Sequence, residues 1–110
     1  MNRVELIGDL VSSVEVHRDR STGRPRGRAI IAVSRGLRGV EFVPVTLWGR
    51  EAWDASKYLG EGSTVAVRGH LHSGVVVGDA TSARRRRLVY VIADRVTYLV
   101  VLPPRFGGQQ

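Results

Sequence analysis

Apolar and polar residues alternate along most of this chain. From Arg3 to Leu10, Val4, Leu6 and Leu10 fall on one side and Glu5 and Asp9 on the other, the period-two pattern of a strand with one face in a core. Val14 and Val16 continue the pattern after a break at Ser12-Ser13. Residues 19–27, Asp-Arg-Ser-Thr-Gly-Arg-Pro-Arg-Gly, read as a polar loop. Ala29–Ser34 predicts a second strand, Ser34–Gly39 a short basic turn, and Val40–Trp48 a third strand. Pro44 inside that third strand demands an edge, a bulge or a strong bend, because proline cannot donate to a ladder. Arg50–Leu59 is the helical window, with Ala52, Ala55, Tyr58 and Leu59 at helical spacing and Gly60-Glu61-Gly62 as its stop. Thr64–His72 predicts a fourth strand with Val65, Val67, Gly69 and Leu71 inward. Gly74–Arg87 reads as a long hairpin arm and Leu88–Leu99 as a fifth strand. Pro103-Pro104 ends regular structure, and Gly107–Gln110 is expected to fray.

Three strands, one helix and two strands is the order of an all-β OB-fold, a five-stranded, partly open Greek-key barrel with its α-helix between the third and fourth strands. A small SH3-like barrel is the competing architecture, and it normally lacks a ten-residue helix at that point. The barrel is expected over residues 1–102, with residues 103–110 as a short disordered tail. A chain of 110 residues fits one domain and can bury a core without metal or disulfide staples. It has no Cys, which rules out a disulfide framework and a Cys-based zinc site. The N-terminus enters the alternating pattern directly and resembles no signal peptide. The apolar runs, such as Tyr98–Leu102, are too short to span a bilayer as a helix. A soluble, intracellular protein without membrane contact is expected.

Charge changes the picture most. The formal net charge is +7, and such a field attracts polyanions. The cations are almost all Arg, with Lys57 the only lysine. Arginine offers a planar fork to phosphate and a flat face to bases; the bias toward Arg also fits the codon usage of a GC-rich genome, which leaves the net charge unexplained.

Parity in the third strand then singles out a candidate site. Val43, Val45 and Leu47 share one face and suit a barrel interior; Phe42, Thr46 and Trp48 share the other. Outward Phe42 and Trp48 on a basic protein need a partner. Nucleobases supply one by stacking, with little sequence preference; burial by another subunit or by the hairpin arm is the alternative. Around them lie Arg3 at the start of the first strand, Arg28 at the start of the second, and Arg35 and Arg38 in the turn before the third. Arg50 follows Trp48-Gly49, Arg68, His70 and His72 occupy the outward face of the fourth strand, and Arg84, Arg85, Arg86 and Arg87 form a run in the arm. A basic track with stacking platforms is the physical recipe for sequence-tolerant single-strand binding.

Six stretches carry a resemblance beyond this pattern. They are Asn2–Leu10, Ile31–Arg35, Phe42–Arg50, Ala55–Leu59, Gly62–Gly69 and Val91–Val96. Together, in this order, they resemble the homotetrameric OB-fold family of bacterial single-stranded DNA-binding proteins over roughly residues 2–99. The resemblance implies stacking by Phe42 and Trp48 and phosphate contact by Arg3 and Arg50. It implies binding and protection of single-stranded DNA in replication, recombination or repair, a homotetramer, and no cofactor. Two departures stand out. Leu37 and Val76 occupy places where the family commonly carries further stacking aromatics. The chain also ends in Pro-Pro-Arg-Phe-Gly-Gly-Gln-Gln where the family usually has a long tail with an acidic tip, so tail-mediated recruitment of repair proteins is not expected from it.

Other chemistries have less support. His70 and His72 share a strand face but lack a clear third metal ligand, with only His17 and scattered carboxylates remaining. Neither a nucleophile elbow nor a Walker glycine loop occurs, and the ten acidic residues are dispersed, so enzymatic activity is not expected. Two other classes stay in view: a replication interaction protein resembling the primosomal OB-fold dimers, and a metal-dependent nuclease. Stacking and phosphate contact do not by themselves separate DNA from RNA.

Overall fold

The structure, a computed structural model, describes residues 1–77 and 85–105, and the side chains of these except at 75–77 and 85. Six strands and one α-helix follow in the order β1 (Val4–Leu10), β2 (Glu15–Arg18), β3 (Pro25–Ser34), a 3-10 turn (Gly36–Arg38), β4 (Val40–Trp48), α1 (Gly49–Tyr58), β5 (Thr64–Val77) and β6 (Arg85–Val100). The sheet runs β1-β5-β6-β4-β3-β2, and a β1–β3 pairing at Asp9–Ala32 and Leu10–Ile31 closes five of the strands into a barrel. All neighbours are antiparallel except β4 and β6, which run parallel and pair only at Val45–Val91 and Thr46–Ile92. This is the expected OB-fold. Pro44 sits just before that short pairing, so β4 is an open edge toward β6 over most of its length, one of the settings a strand proline tolerates.

The core follows from the alternation. Leu10, Ile31, Val45, Leu47, Val65, Val67 and Val91 fill the barrel, and Ala52, Ala55 and Leu59 of the helix segment close one end of it. Two small alanines on that face let the helix lie close against β3 and β4. Gly49, at φ +64°, reverses the chain directly after Trp48, a conformation that glycine adopts without a Cβ penalty. Glu51, in the first turn of α1, accepts a 2.6 Å hydrogen bond from the Val96 amide, where β6 has no partner strand on that side. Fully buried Ser63 donates to the Leu102 carbonyl at 3.1 Å and accepts from the Leu102 amide at 3.0 Å. The Gly60 amide donates to the same carbonyl at 2.6 Å, so the chain is held against the α1–β5 turn where it leaves β6.

Several expectations are corrected. Val16 belongs to a separate strand, β2, which pairs with β3 from Glu15–Arg28 to Arg18–Pro25; the polar segment therefore gives up residues 25–27 to β3. The arm is a continuation of β5 and β6, paired as far as Val77–Arg85. Leu71 is 48% exposed and Tyr58 56% exposed, so neither belongs to the core. Leu71 lies beyond the end of the β1–β5 ladder, whose last pair is Val4–Gly69, so β1 no longer covers it, although its partner Val91 is buried. β6 carries an extra residue, Asp94, opposite the Arg68–Gly69 step, and such a bulge bends the pair. Gly69 is buried there against the Ile92 carbonyl, with no room for a Cβ. Residues 78–84, and Gly107–Gln110 with Phe106, lie outside the described residues.

The two environments predict opposite outcomes for truncation. Val45, 2% exposed, should cost about 2 kcal/mol of stability on Val45→Ala, from lost transfer energy and a residual cavity. Leu71→Ala should stay within about 0.5 kcal/mol. Urea unfolding of the two variants checks the inside and outside of β4 and of distal β5.

Candidate nucleic-acid interface

The short β4–β6 pairing fixes the outer surface as firmly as the core. With Val45 and Val91 buried, their neighbours Thr46 and Ile92 face out. Thr46 lies beside Arg28 on β3, and Ile92 beside His70 on β5. The row Arg28–Thr46–Ile92–His70 thus crosses four strands on one face. Phe42 is 66% exposed on the same side of β4, opposite Ala32, and Trp48 stands at the other end, opposite Arg26. Two residues up the arm, the His72 and Tyr90 rings meet with centroids 5.4 Å apart at an interplanar angle of 58°.

Trp48 is half-buried and flanked by cations. The Arg24 guanidinium lies 5.4 Å from the indole centroid and that of Arg26 lies 5.8 Å from it, both within cation–π range. These arginines sit on the β2–β3 hairpin, which Asp19 organises. Asp19 Oδ2 accepts hydrogen bonds from the Ser21 hydroxyl at 2.6 Å, the Thr22 hydroxyl at 3.0 Å and the Thr22 amide at 3.1 Å. Its Oδ1 lies 4.0 Å from Arg26. The Ser21 hydroxyl, followed by the Thr22 hydroxyl and amide, holds the Asp19 carboxyl below its ordinary value.

The other candidate residues fall into three groups. Arg35 and Arg38 lie at the Phe42 end of the β3–β4 ribbon, with Arg35 3.7 Å from Glu41. Arg50 lies at the Trp48 end, 3.8 Å from Asp54 one helical turn on. Arg68, two residues from His70, continues the track toward β1, where Glu5 reaches both Arg68 at 3.4 Å and Arg3 at 3.6 Å. His70 Nδ1 lies 3.2 Å from the Asp94 carboxylate. Arg86 and Arg87 are exposed on the arm, and Arg87 donates to the Ser73 hydroxyl at 2.9 Å. Arg84 lies outside the described residues, as does the side chain of Arg85. Leu37 is fully exposed at the tip of the 3-10 turn, and the Val76 side chain is not among those described. Among the described residues no cluster of three metal-ligating side chains occurs, and no helix is long and apolar enough to cross a membrane.

Sequence reasoning missed Arg24, Arg26 and Tyr90. Arg24 and Arg26 flank Pro25 with strand periodicity, a signal masked by the turn-forming residues before them. Asn2 has a structural role that its place in the Asn2–Leu10 stretch does not announce. Its side-chain amide exchanges two hydrogen bonds of 2.8 Å with the Leu71 backbone, extending the β1–β5 ladder beyond Val4–Gly69.

Barrel and face together define an OB-fold protein with an aromatic and basic outer groove. A family model described as the single-strand binding protein family matches residues 1–99. A single-stranded DNA-binding protein of Clostridium tetani is 31% identical over 104 residues, spanning 90% of this chain and 70% of that one. Single-stranded DNA-binding protein 1 of Clostridium acetobutylicum is 30% identical over 105 residues, spanning 90% of this chain and 94% of that one. A crystal structure of a deletion mutant of the single-stranded DNA binding protein from Thermus aquaticus superposes with a TM-score of 0.73 at 23% identity. The superposition covers all of this chain and 45% of that one, and it shows the same fold. The chain belongs to the single-strand binding protein family.

Asp19 gives a pH expectation of definite sign. A carboxyl lowered in the folded state stabilises its turn above the unfolded-state value, and that contribution is lost as pH falls through the folded value. The Ser21 and Thr22 amide resonances should therefore hold their positions from neutral pH down to the ordinary carboxylate range and move only below it. Movement between pH 5 and 7 would show that the turn does not rest on this carboxylate.

Proposed function

We propose that this chain binds and protects single-stranded DNA with little sequence preference, in replication, recombination or repair, and that it does so as a binding module rather than an enzyme. The observation that carries the reading is the outward placement of Phe42 and Trp48 on a β3–β4 surface ringed by arginines. A single strand offers unpaired bases at stacking distance from a continuous row of phosphates, and this face offers the complement of both. The ion pairs along the track do not oppose it. Exposed pairs contribute about 0–1 kcal/mol, so Glu5, Glu41 and Asp54 yield their arginines to phosphate at small cost. The same ionic term makes binding depend on salt, with about −0.7 added to the slope of log K against log salt for each phosphate contact.

Self-association into a homotetramer is part of the proposal. Over Val4–Gly8, β1 pairs with β5 on one edge and has no strand on its other edge among the described residues. An open antiparallel edge can pair with its copy across a two-fold axis. A cytoplasmic, nucleoid-associated location accords with such a role.

Titration with oligo-dT tests the reading: Trp48 emission should be quenched on stacking and the oligonucleotide retarded in a gel. Unchanged fluorescence and mobility at saturating oligo-dT would exclude it. Phe42→Ala should weaken binding by about 1–3 kcal/mol and leave stability within about 0.5 kcal/mol, which separates a contact from a core residue. Light scattering at micromolar concentration should give the mass of four chains; a monomer mass would refute the assembly.

A further inference from the structure

The groove accounts for Phe42 and Trp48 as platforms, but not for the convergence of two arginines on one indole. Arg24 and Arg26 are alternate residues flanking the start of β3, and both guanidiniums reach the Trp48 ring. The β2–β3 turn that presents them is closed by backbone as well as by Asp19. The Gly23 amide donates to the Asp19 carbonyl at 2.7 Å, and the Asp19 amide to the Arg24 carbonyl at 2.8 Å. Arg18 adds a 2.8 Å hydrogen bond to the Gly23 carbonyl. The hairpin therefore fixes the backbone from which Arg24 and Arg26 project.

The charges are not balanced internally. Arg26 has one carboxylate neighbour, Asp19, at the long distance of 4.0 Å, and that carboxylate is already committed through its other oxygen to the turn. Arg24 has no carboxylate partner among the described residues. Its guanidinium instead lies over the β4–α1 turn, close to Gly49. Two like charges thus lie beside one aromatic ring at a hydrogen-bonded turn, with little counter-charge among the described residues.

We propose that Arg24, Arg26 and Trp48 form a preformed seat for one nucleotide of the bound strand, with its base on the indole and its phosphate held by the two guanidiniums. This rests on the reading of the β3–β4 face as a single-strand groove. The cation–π contacts are the resting state of the seat. Base stacking on an aromatic outweighs a solvent-exposed cation–π contact, so an entering base takes the ring face. The displaced guanidiniums turn to the phosphate of the same nucleotide, where planar forks bind in bidentate fashion. Arg26 exchanges its distant carboxylate for that phosphate, and Asp19 keeps the hairpin closed through Ser21 and Thr22. The seat places one end of the strand's path at the β4–α1 turn.

Salt dependence reads this directly. Oligo-dT affinity is measured by Trp48 quenching over a salt series for the full chain and for Arg24→Ala, the double variant Arg24→Ala/Arg26→Ala, and Arg24→Lys/Arg26→Lys. The negative slope of log K against log salt should shrink by about 0.7 in the single and about 1.4 in the double alanine variant. Each lost contact then removes about fivefold of the gain in K between 1 M and 0.1 M salt. The double lysine variant should keep the slope while binding more weakly, because it keeps charge but not the planar fork. Arg24 is exposed, so Arg24→Ala stays informative even if the double variant unfolds. Slopes equal to the parent protein's, or tighter binding without the arginines, would overturn the proposal; the second outcome would mean that they cover the ring against bases. Trp48→Ala, read by gel retardation, separates the two levels. If it loses affinity while the arginine variants keep the parent slope, the seat falls and the groove stands. If the parent protein itself does not bind, both fall.

Discussion

The parallel contact between β4 and β6 decides what this barrel shows to solvent. It is only two residues long, Val45–Val91 and Thr46–Ile92, yet it closes the barrel between its two antiparallel halves. Because side chains alternate along a strand, seating Val45 and Val91 in the core leaves no choice for their neighbours. Phe42, Thr46 and Trp48 must face out on β4, and Ile92 and Tyr90 on β6. A slip of one residue would bury Trp48 with its arginines and expose Val45 and Leu47. The hydrophobic term that stabilises the barrel and the geometry that displays the aromatics are thus one constraint.

Electrostatics is arranged on top of that frame rather than within it. The described acidic partners, Glu5, Glu41, Asp54 and Asp94, each sit beside a basic residue of the outer surface. These pairs limit repulsion among the basic side chains of that surface. Exposed pairs of this kind are individually weak, so they leave the guanidiniums open to other anions. Arg24 and Arg26 differ: both lie beside the Trp48 ring, and of the two only Arg26 has a carboxylate near it, Asp19 at 4.0 Å.

Much of this was legible in the sequence, for a physical reason. The β4 segment alternates cleanly, and its inward residues are aliphatic while two of its outward residues are aromatic, so parity separated the core side of the strand from its outer side. The helix between the third and fourth predicted strands was legible from Ala52, Ala55 and Leu59. What stayed hidden depends on non-local pairing. Glu15–Arg18 is too short and polar to announce itself as β2, and it exists because Pro25–Arg28 pairs with it. Leu71 has the right parity for the core and fails because β1 stops pairing with β5 at Gly69 and leaves it uncovered. Tyr58 has helical spacing but lies past the edge of the face that Ala52 and Ala55 bury. Arg24 and Arg26 looked like loop charges because Asp19–Gly23 reads as a turn, which it is; the strand begins at its far end.

That turn shows how a local motif becomes part of a groove. Asp19 uses one carboxylate oxygen to collect the Ser21 and Thr22 donors and leaves the other toward Arg26. Its contribution to global stability is modest, since the hairpin is exposed and β2 has a single partner strand. Its consequence is positional: it fixes the start of β3 opposite the end of β4. Across that ladder Arg26 faces Trp48, and one strand position earlier Pro25 closes the pairing with Arg18. A longer or looser turn would leave the barrel intact and scatter the guanidiniums. Stability in this molecule therefore resides in the aliphatic interior, whereas the arrangement of the outer face depends on short polar contacts that add little to it, and the two can vary independently of each other.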